Sequence, residues 1–143
     1  MTKKKILVTG GAGYIGAHMV AMLLDAGHHV ITLDDLSTGH RDAVLGGDFV
    51  QGNVGDKAVL DSIFSDFGAI DGVLHFAGSI DVRESVTDPE KYFQNNVTAT
   101  RTLLDGLMEK GPVAFIFSST CAIYGKPQRL PMDETHPITP ESP

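Results

Sequence analysis

The segment KKILVTGGAGYIG, residues 4–16, limits the fold more than any other stretch of this chain. Ile6–Val8 is a short continuous apolar run, which reads as a strand buried on both faces, as in a parallel sheet. It passes directly into glycines, and then Ile15, Met19, Leu23 and Ala26 recur every three or four residues before Gly27 supplies a stop. A strand therefore feeds an amphipathic helix through a glycine turn. Gly11, Gly13 and Gly16 satisfy G-x-G-x-x-G, while Gly10, Gly13 and Gly16 satisfy G-x-x-G-x-x-G. Glycine is needed where a turn takes positive φ, where a ligand must touch backbone, and where a helix packs close to a strand.

The alternation continues along the chain. HHVITLDD and GDFVQGNV read as the second and third strands, with STGHRDAVLGG between them too polar and glycine-rich for a long helix. Asp56 is the expected N-cap of a helix carrying Leu60, Ile63, Phe64 and Phe67 on one face and closed by Gly68. IDGVLHFAG follows as a fourth strand. A long helix is then expected from an Asp88 cap and Pro89 to Gly111, with Tyr92, Asn96, Ala99, Leu103 and Leu107 along one stripe. VAFIFSST is the fifth strand, and nothing regular is expected beyond it. The 143 residues suffice for one domain, 1–143. Its expected class is α/β: a Rossmann-type doubly wound parallel sheet of strand order 3-2-1-4-5, truncated before a sixth strand. Ligands bind such sheets at the strand C-termini, where the order reverses.

A helix starting at Gly13, Tyr14, Ile15 and Gly16 presents free N–H groups to an anion, and in this context the anion is a dinucleotide pyrophosphate. Asp34 ends the second strand 18 residues past Gly16, where it can accept hydrogen bonds from ribose hydroxyls. Its charge would repel a 2′-phosphate, favouring NAD over NADP; Asp35 is the adjacent candidate. The formal charge of -7, from 11 Lys and Arg against 18 Asp and Glu, argues against a nucleic-acid or anionic-membrane partner. The apolar run after Lys3–Lys5 is too short for a signal peptide or a membrane span. A single cysteine, Cys121, builds no internal disulfide framework, which fits a reducing cytoplasm. The histidines show no metal-ligand spacing, no metal is expected, and His75 reads as a core histidine.

TGGAGYIG, HFAG, VRESVTDPEKYFQNNV and FSSTCAIYG, taken in order, resemble the extended short-chain dehydrogenase/reductase family, and within it the UDP-glucose 4-epimerases. The resemblance runs over essentially the whole chain. It implies that NAD takes a hydride from C4 of a UDP-hexose while a tyrosine of a Tyr-x-x-x-Lys motif removes the O4 proton. The keto-sugar then turns over and receives the hydride on its other face. By the same resemblance Thr120 carries the hydroxyl that bonds the reacting sugar oxygen, a position where the epimerases usually have serine. Phe76, Ala77 and Gly78 match the stretch along the cofactor, Asn95 a helix asparagine near it, and Ser118 and Ser119 the nicotinamide side. Asn53 and Val54 match an acidic-aliphatic pair beside the adenine, and Ile80 stands where the epimerases often have lysine.

Tyr124 is not the family's catalytic tyrosine, because position 128 is Gln128. In the family the segment resembling TPESP runs straight into the Tyr-x-x-x-Lys helix, so the chain is expected to stop one residue short of that tyrosine and to be inactive alone. The strand VAFIFSST is then expected to be an uncovered edge that promotes self-association or leaves the fold marginal. Three readings stay open at this point: the N-terminal part of a UDP-hexose 4-epimerase, with a homo-oligomer as its expected assembly; part of a dehydratase, decarboxylase or 5-epimerase acting on nucleotide sugars; or a non-catalytic NAD-binding module.

Overall fold

Each strand-forming run becomes a strand in the computed structural model, which describes residues 2–143. These are β1 (Lys5–Thr9), β2 (His29–Asp34), β3 (Asp48–Gln51), β4 (Gly72–His75) and β5 (Ala114–Phe117). They form one all-parallel sheet of order β3-β2-β1-β4-β5, as the strand-helix alternation requires. Thr9 of β1 lies opposite Leu33 of β2 and His75 of β4, and His75 lies opposite Phe117 of β5.

Side chains alternate between the faces along each strand. Leu7, Ile31, Leu33 and Val73 meet Leu60 and Ile63 of α2 (Lys57–Phe67) and Leu103 and Leu107 of α5 (Ala99–Lys110). Val8 and Val30 point the other way and meet Ala12, Val44 and Val20 of α1 (Tyr14–Asp25). Fully burying each such aliphatic side chain contributes about 1.5–3 kcal/mol. α1 packs on β1 and β2 on this face. Over β4 and β5 the same face carries a shallow apolar hollow lined by Ile6, Leu74, Ala114 and Ile116, and Ile116 is 61% exposed. β5 is thus an edge strand within these residues, as expected.

Helix ends follow the capping chemistry in the sequence. The Asp56 carboxylate accepts from Ala58 N at 2.9 Å, and Gly68 at φ 69 closes α2 by donating to Phe64 O. Asp56→Ala is expected to lower stability by about 1 kcal/mol, read as a fall in the denaturation midpoint. Asp88 accepts from Lys91 N with Pro89 in the first turn, as expected. The long helix, however, is not uniform. It consists of α4 (Pro89–Tyr92), a π-helical stretch over Phe93–Thr98, and α5.

One helix was not anticipated. α3 (Val82–Thr87) is held by Asp81, whose carboxylate accepts from the Arg83 and Glu84 amides. Six residues are too few for a periodic apolar pattern, so only the cap marks it. Glu84 accepts from the Lys91 ammonium and, at 2.8 Å, from the Tyr92 hydroxyl, which ties α3 to α4. Beyond β5 there is a 3₁₀ turn, Cys121–Tyr124, where no regular structure was expected. The segment after it folds back through Thr139 N to Ile123 O at 2.9 Å and through Gln128 N to the buried His136 Nε2 at 3.0 Å.

Candidate functional site

The C-terminal ends of β1, β2, β4 and β5 form one rim, and the sequence-predicted residues gather along it. At its centre the β1–α1 turn takes Gly10 to φ 69, and a Cβ there would lie 2.5 Å from Ala77 N. A Cβ on Gly16 would overlap the Gly10 carbonyl oxygen and stand 2.7 Å from Gly11 Cα. Both are contacts with backbone, which cannot swing aside as a side chain can. Gly13 differs: its added Cβ would meet only Gly10 O, at 3.3 Å. Gly13 is also the N-cap of α1 and brings no side chain to cap it. Tyr14 is 84% exposed and Ile15 is also exposed, so both side chains turn outward and leave the first-turn N–H groups open to an anion. This cradle fits a phosphate.

Beside it, the Asp34 carboxylate accepts from Ala12 N through Oδ2 and from Leu36 N through Oδ1, each at 2.9 Å. Asp34 therefore locks the end of β2 to the glycine turn while each oxygen keeps a lone pair for a ligand hydroxyl. The chain then turns sharply, with Leu36 at φ 61, and His40 N donates to Ala12 O at 3.0 Å. Asp35 is exposed and bonds elsewhere: Oδ1 accepts from Ser37 N and Oδ2 from Asn53 Nδ2. Partial burial works against its ionisation, but the hydrogen bonds from Ser37 and Asn53 outweigh it and hold the carboxyl below the usual range. Asn53 Oδ1 accepts from Gly55 N at 2.8 Å. Val54 is 6% exposed and its side chain lies in the core, leaving its backbone as the part that can face the rim.

On the β4 side, Phe76 N donates to Thr9 O at 3.0 Å; Phe76 and Ala77 are half-buried and Gly78 is exposed. Asn95 Nδ2 donates to Ser79 Oγ at 2.9 Å. Asn96 makes a two-point contact with the Ser79 backbone, Oδ1 accepting from N at 2.7 Å and Nδ2 donating to O at 2.9 Å. The wider π turn is what lets two consecutive asparagines reach one loop residue, a geometry common at functional sites. Asn96 and Ser79 were not anticipated as site residues; the doublet Asn95–Asn96 inside an otherwise amphipathic helix was the available signal.

His75 ends β4, is 1% exposed, and bonds Thr9 Oγ1 at 2.7 Å and Thr100 Oγ1 at 2.9 Å. It is the core histidine the sequence suggested. Burial pushes its imidazole from 6.5 down to about 4. Because the neutral form is the one favoured by folding, this contribution to stability is complete above pH 6.5 and is lost as the pH falls towards 4.

On the β5 side, Ser118 N donates to His75 O at 3.1 Å, and Ser118, Ser119 and Thr120 are exposed. Thr120 Oγ1 accepts from Ala122 N at 3.2 Å, which fixes the side chain at the mouth of the 3₁₀ turn while leaving its proton free to donate. Ile80 is 91% exposed and brings no charge to the β4–α3 loop. Among the described residues no three His, Cys, Asp or Glu side chains are grouped to hold a metal ion, and no helix is long and apolar enough to cross a membrane.

A parallel sheet that reverses its order beside a glycine turn, with a carboxylate fastened to that turn, defines a Rossmann-type domain with the dinucleotide-binding fingerprint. The chain belongs to the NAD dependent epimerase/dehydratase family, which matches residues 6–143. It is 44% identical over 143 residues to the UDP-glucose 4-epimerase of Rhizobium leguminosarum bv. trifolii, covering 100% of this chain and 43% of that protein. The crystal structure of UDP-glucose 4-epimerase from Brucella ovis in complex with NAD superposes with a TM-score of 0.92 at 45% identity, over 97% of this chain and 42% of that one. The Thermotoga maritima UDP-glucose 4-epimerase with UDP-glucose gives 0.89 at 37% identity, over 96% of this chain and 45% of that one. The chain spans between 40% and 43% of the length of these curated relatives.

Proposed function

We propose that residues 1–143 are the N-terminal part of the NAD-binding domain of a UDP-hexose 4-epimerase, which interconverts UDP-galactose and UDP-glucose and carries the rest of that domain and its substrate domain outside these residues. The observation that carries the reading is the open N-terminus of α1 beside an Asp34 carboxylate already locked to the same turn. The N–H groups at Tyr14–Gly16 hold the pyrophosphate, while Gly13 N donates to Gly10 O at 3.2 Å within the turn and Gly10 lets the turn approach β4. Asp34 accepts from the ribose hydroxyls; Asp35, Asn53 and the Val54 backbone flank the adenine. Phe76, Ala77 and Gly78 form the wall along the dinucleotide, with Asn95 above it and Ser118 and Ser119 at its nicotinamide end. Bound NAD supplies reversible hydride acceptance at the sugar carbon. Thr120 donates its hydroxyl proton to the sugar oxygen and so orients it. The base that pairs with Thr120 is, on this reading, the tyrosine of the Tyr-x-x-x-Lys segment, outside these residues.

The reading extends to galactose metabolism, a nucleotide-sugar substrate, a cytoplasmic location and a homo-oligomer. Exposed Phe93, Val97, Leu104 and Met108 on one continuous helical segment support the last of these. A second reading, a related enzyme on nucleotide sugars, is favoured by Ile80 alone, since the epimerases often have a cation there. The test is calorimetric titration with NAD followed by incubation of the full-length protein with UDP-galactose. Tight NAD binding and UDP-glucose as product are expected, while residues 1–143 alone are expected to bind NAD without turnover. A different sugar product selects the second reading, and absence of NAD binding by the full-length protein defeats both.

A further inference from the structure

The bonds around His75 form a directed chain. Thr100 Oγ1 has one proton and donates it to Asn96 O at 2.7 Å, so towards His75 it can only accept. Nε2 of His75 therefore carries the ring proton, and Nδ1 accepts from Thr9 Oγ1. At its far end Asn96 grips both the N–H and the carbonyl of Ser79. The chain thus begins on the residue before the glycine turn, crosses the end of β4 just before Phe76–Ala77–Gly78, enters the π-helical stretch and ends on the β4–α3 loop. The ring also packs against Phe117 at 5.7 Å and Phe115 at 5.9 Å between centroids. Its hydrogen-bond and ring contacts are two hydroxyls and two phenyl rings, none of them charged.

We propose that His75 is a positioning residue for the dinucleotide site, fixed as the neutral Nε2–H tautomer and setting the spacing between the glycine turn and the Phe76–Ser79 segment. The inference rests on the reading of this rim as an NAD site, but its physical content, a rigid polar link from Thr9 to Ser79, stands apart from it. An apolar core residue of similar size would fill the space without linking these elements. Asn96 joins the two ends of the link, its carbonyl accepting from the Thr100 hydroxyl and its side chain gripping Ser79.

The test uses the full-length protein, its His75→Phe variant and the milder Thr100→Val variant, which keeps side-chain volume and removes only the hydroxyl. Nitrogen-15 NMR of the histidine ring is expected to report the Nε2–H tautomer between pH 5.5 and 8, about the range in which a free imidazole titrates. In both variants the Ser79 amide is expected to exchange with solvent about tenfold faster, and NAD to bind about tenfold more weakly, as for the loss of one buried polar link. The thermal midpoint of Thr100→Val is expected to stay within a few degrees of the parent. An Nδ1–H tautomer, or unchanged Ser79 exchange in both variants, overturns the proposal. So does NAD affinity equal to the parent's. If the parent itself binds no NAD, the functional reading fails, and the tautomer and the Ser79 exchange still decide the role of His75.

Discussion

Gly16→Val is expected to reduce NAD affinity by at least about 100-fold and to lower stability by about 3 kcal/mol. The new side chain has nowhere to go. Its Cβ would overlap the Gly10 carbonyl oxygen and stand 2.7 Å from Gly11 Cα, so the helix must withdraw from the turn or the turn must unwind. Either movement displaces the N–H groups at the start of α1 from the position where they converge on a phosphate. Gly13→Ala serves as the milder comparison for stability, because its Cβ would meet one carbonyl oxygen at 3.3 Å, a contact relieved by a shift of a few tenths of an ångström. Calorimetry with NAD and thermal denaturation check both effects. A Gly16→Val protein that bound NAD like the parent would mean that α1 does not hold the pyrophosphate.

Asp34→Ala is expected to have the next largest effect, a loss of about 100-fold in NAD affinity. Ala12 N and Leu36 N would both lose a charged acceptor, and such bonds contribute about 1.5–3 kcal/mol each. On the proposed function, the carboxylate that meets the ribose disappears in the same step. Asp34→Asn keeps one acceptor oxygen, so its loss is expected to be nearer to about tenfold. Removing the charge also removes repulsion of a 2′-phosphate, so the ratio of NADP to NAD affinity is expected to rise in both variants. Titration with the two dinucleotides side by side reads this ratio. A ratio unchanged by Asp34→Asn would remove Asp34 from the ribose and leave it as a fastener of the turn.

The parts of the molecule legible in its sequence are those governed by local rules. Asp56 and Asp88 cap the helices they were expected to cap, because a side-chain oxygen two or three residues from its N–H partner is a short-range matter. The glycine turn and the strand order were legible for a related reason, since parallel strands with intervening helices leave few topologies. The stretch Phe93–Thr98 was not, because its apolar spacing also fits an α-helix and its contacts with Ser79 reach 16 and 17 residues back along the chain. His75 read as a buried histidine, yet its partners lie 66 and 25 residues away, where no local pattern points. Val54 was matched by motif as a whole residue, and the structure adds that its side chain belongs to the core.

The strands end level, with Thr9 facing Leu33 and His75, and His75 facing Phe117. The sheet is therefore a common frame, and each loop leaving it is a separate insert with its own task. Asp34 and Leu36 start one insert, Phe76 to Ile80 form a second, and Ser118 to Tyr124 begin a third. Inserts of this kind can be lengthened or exchanged without re-registering a single pair of strands. A lineage built on this frame can vary the third insert while the glycine turn and the first two inserts stay as they are.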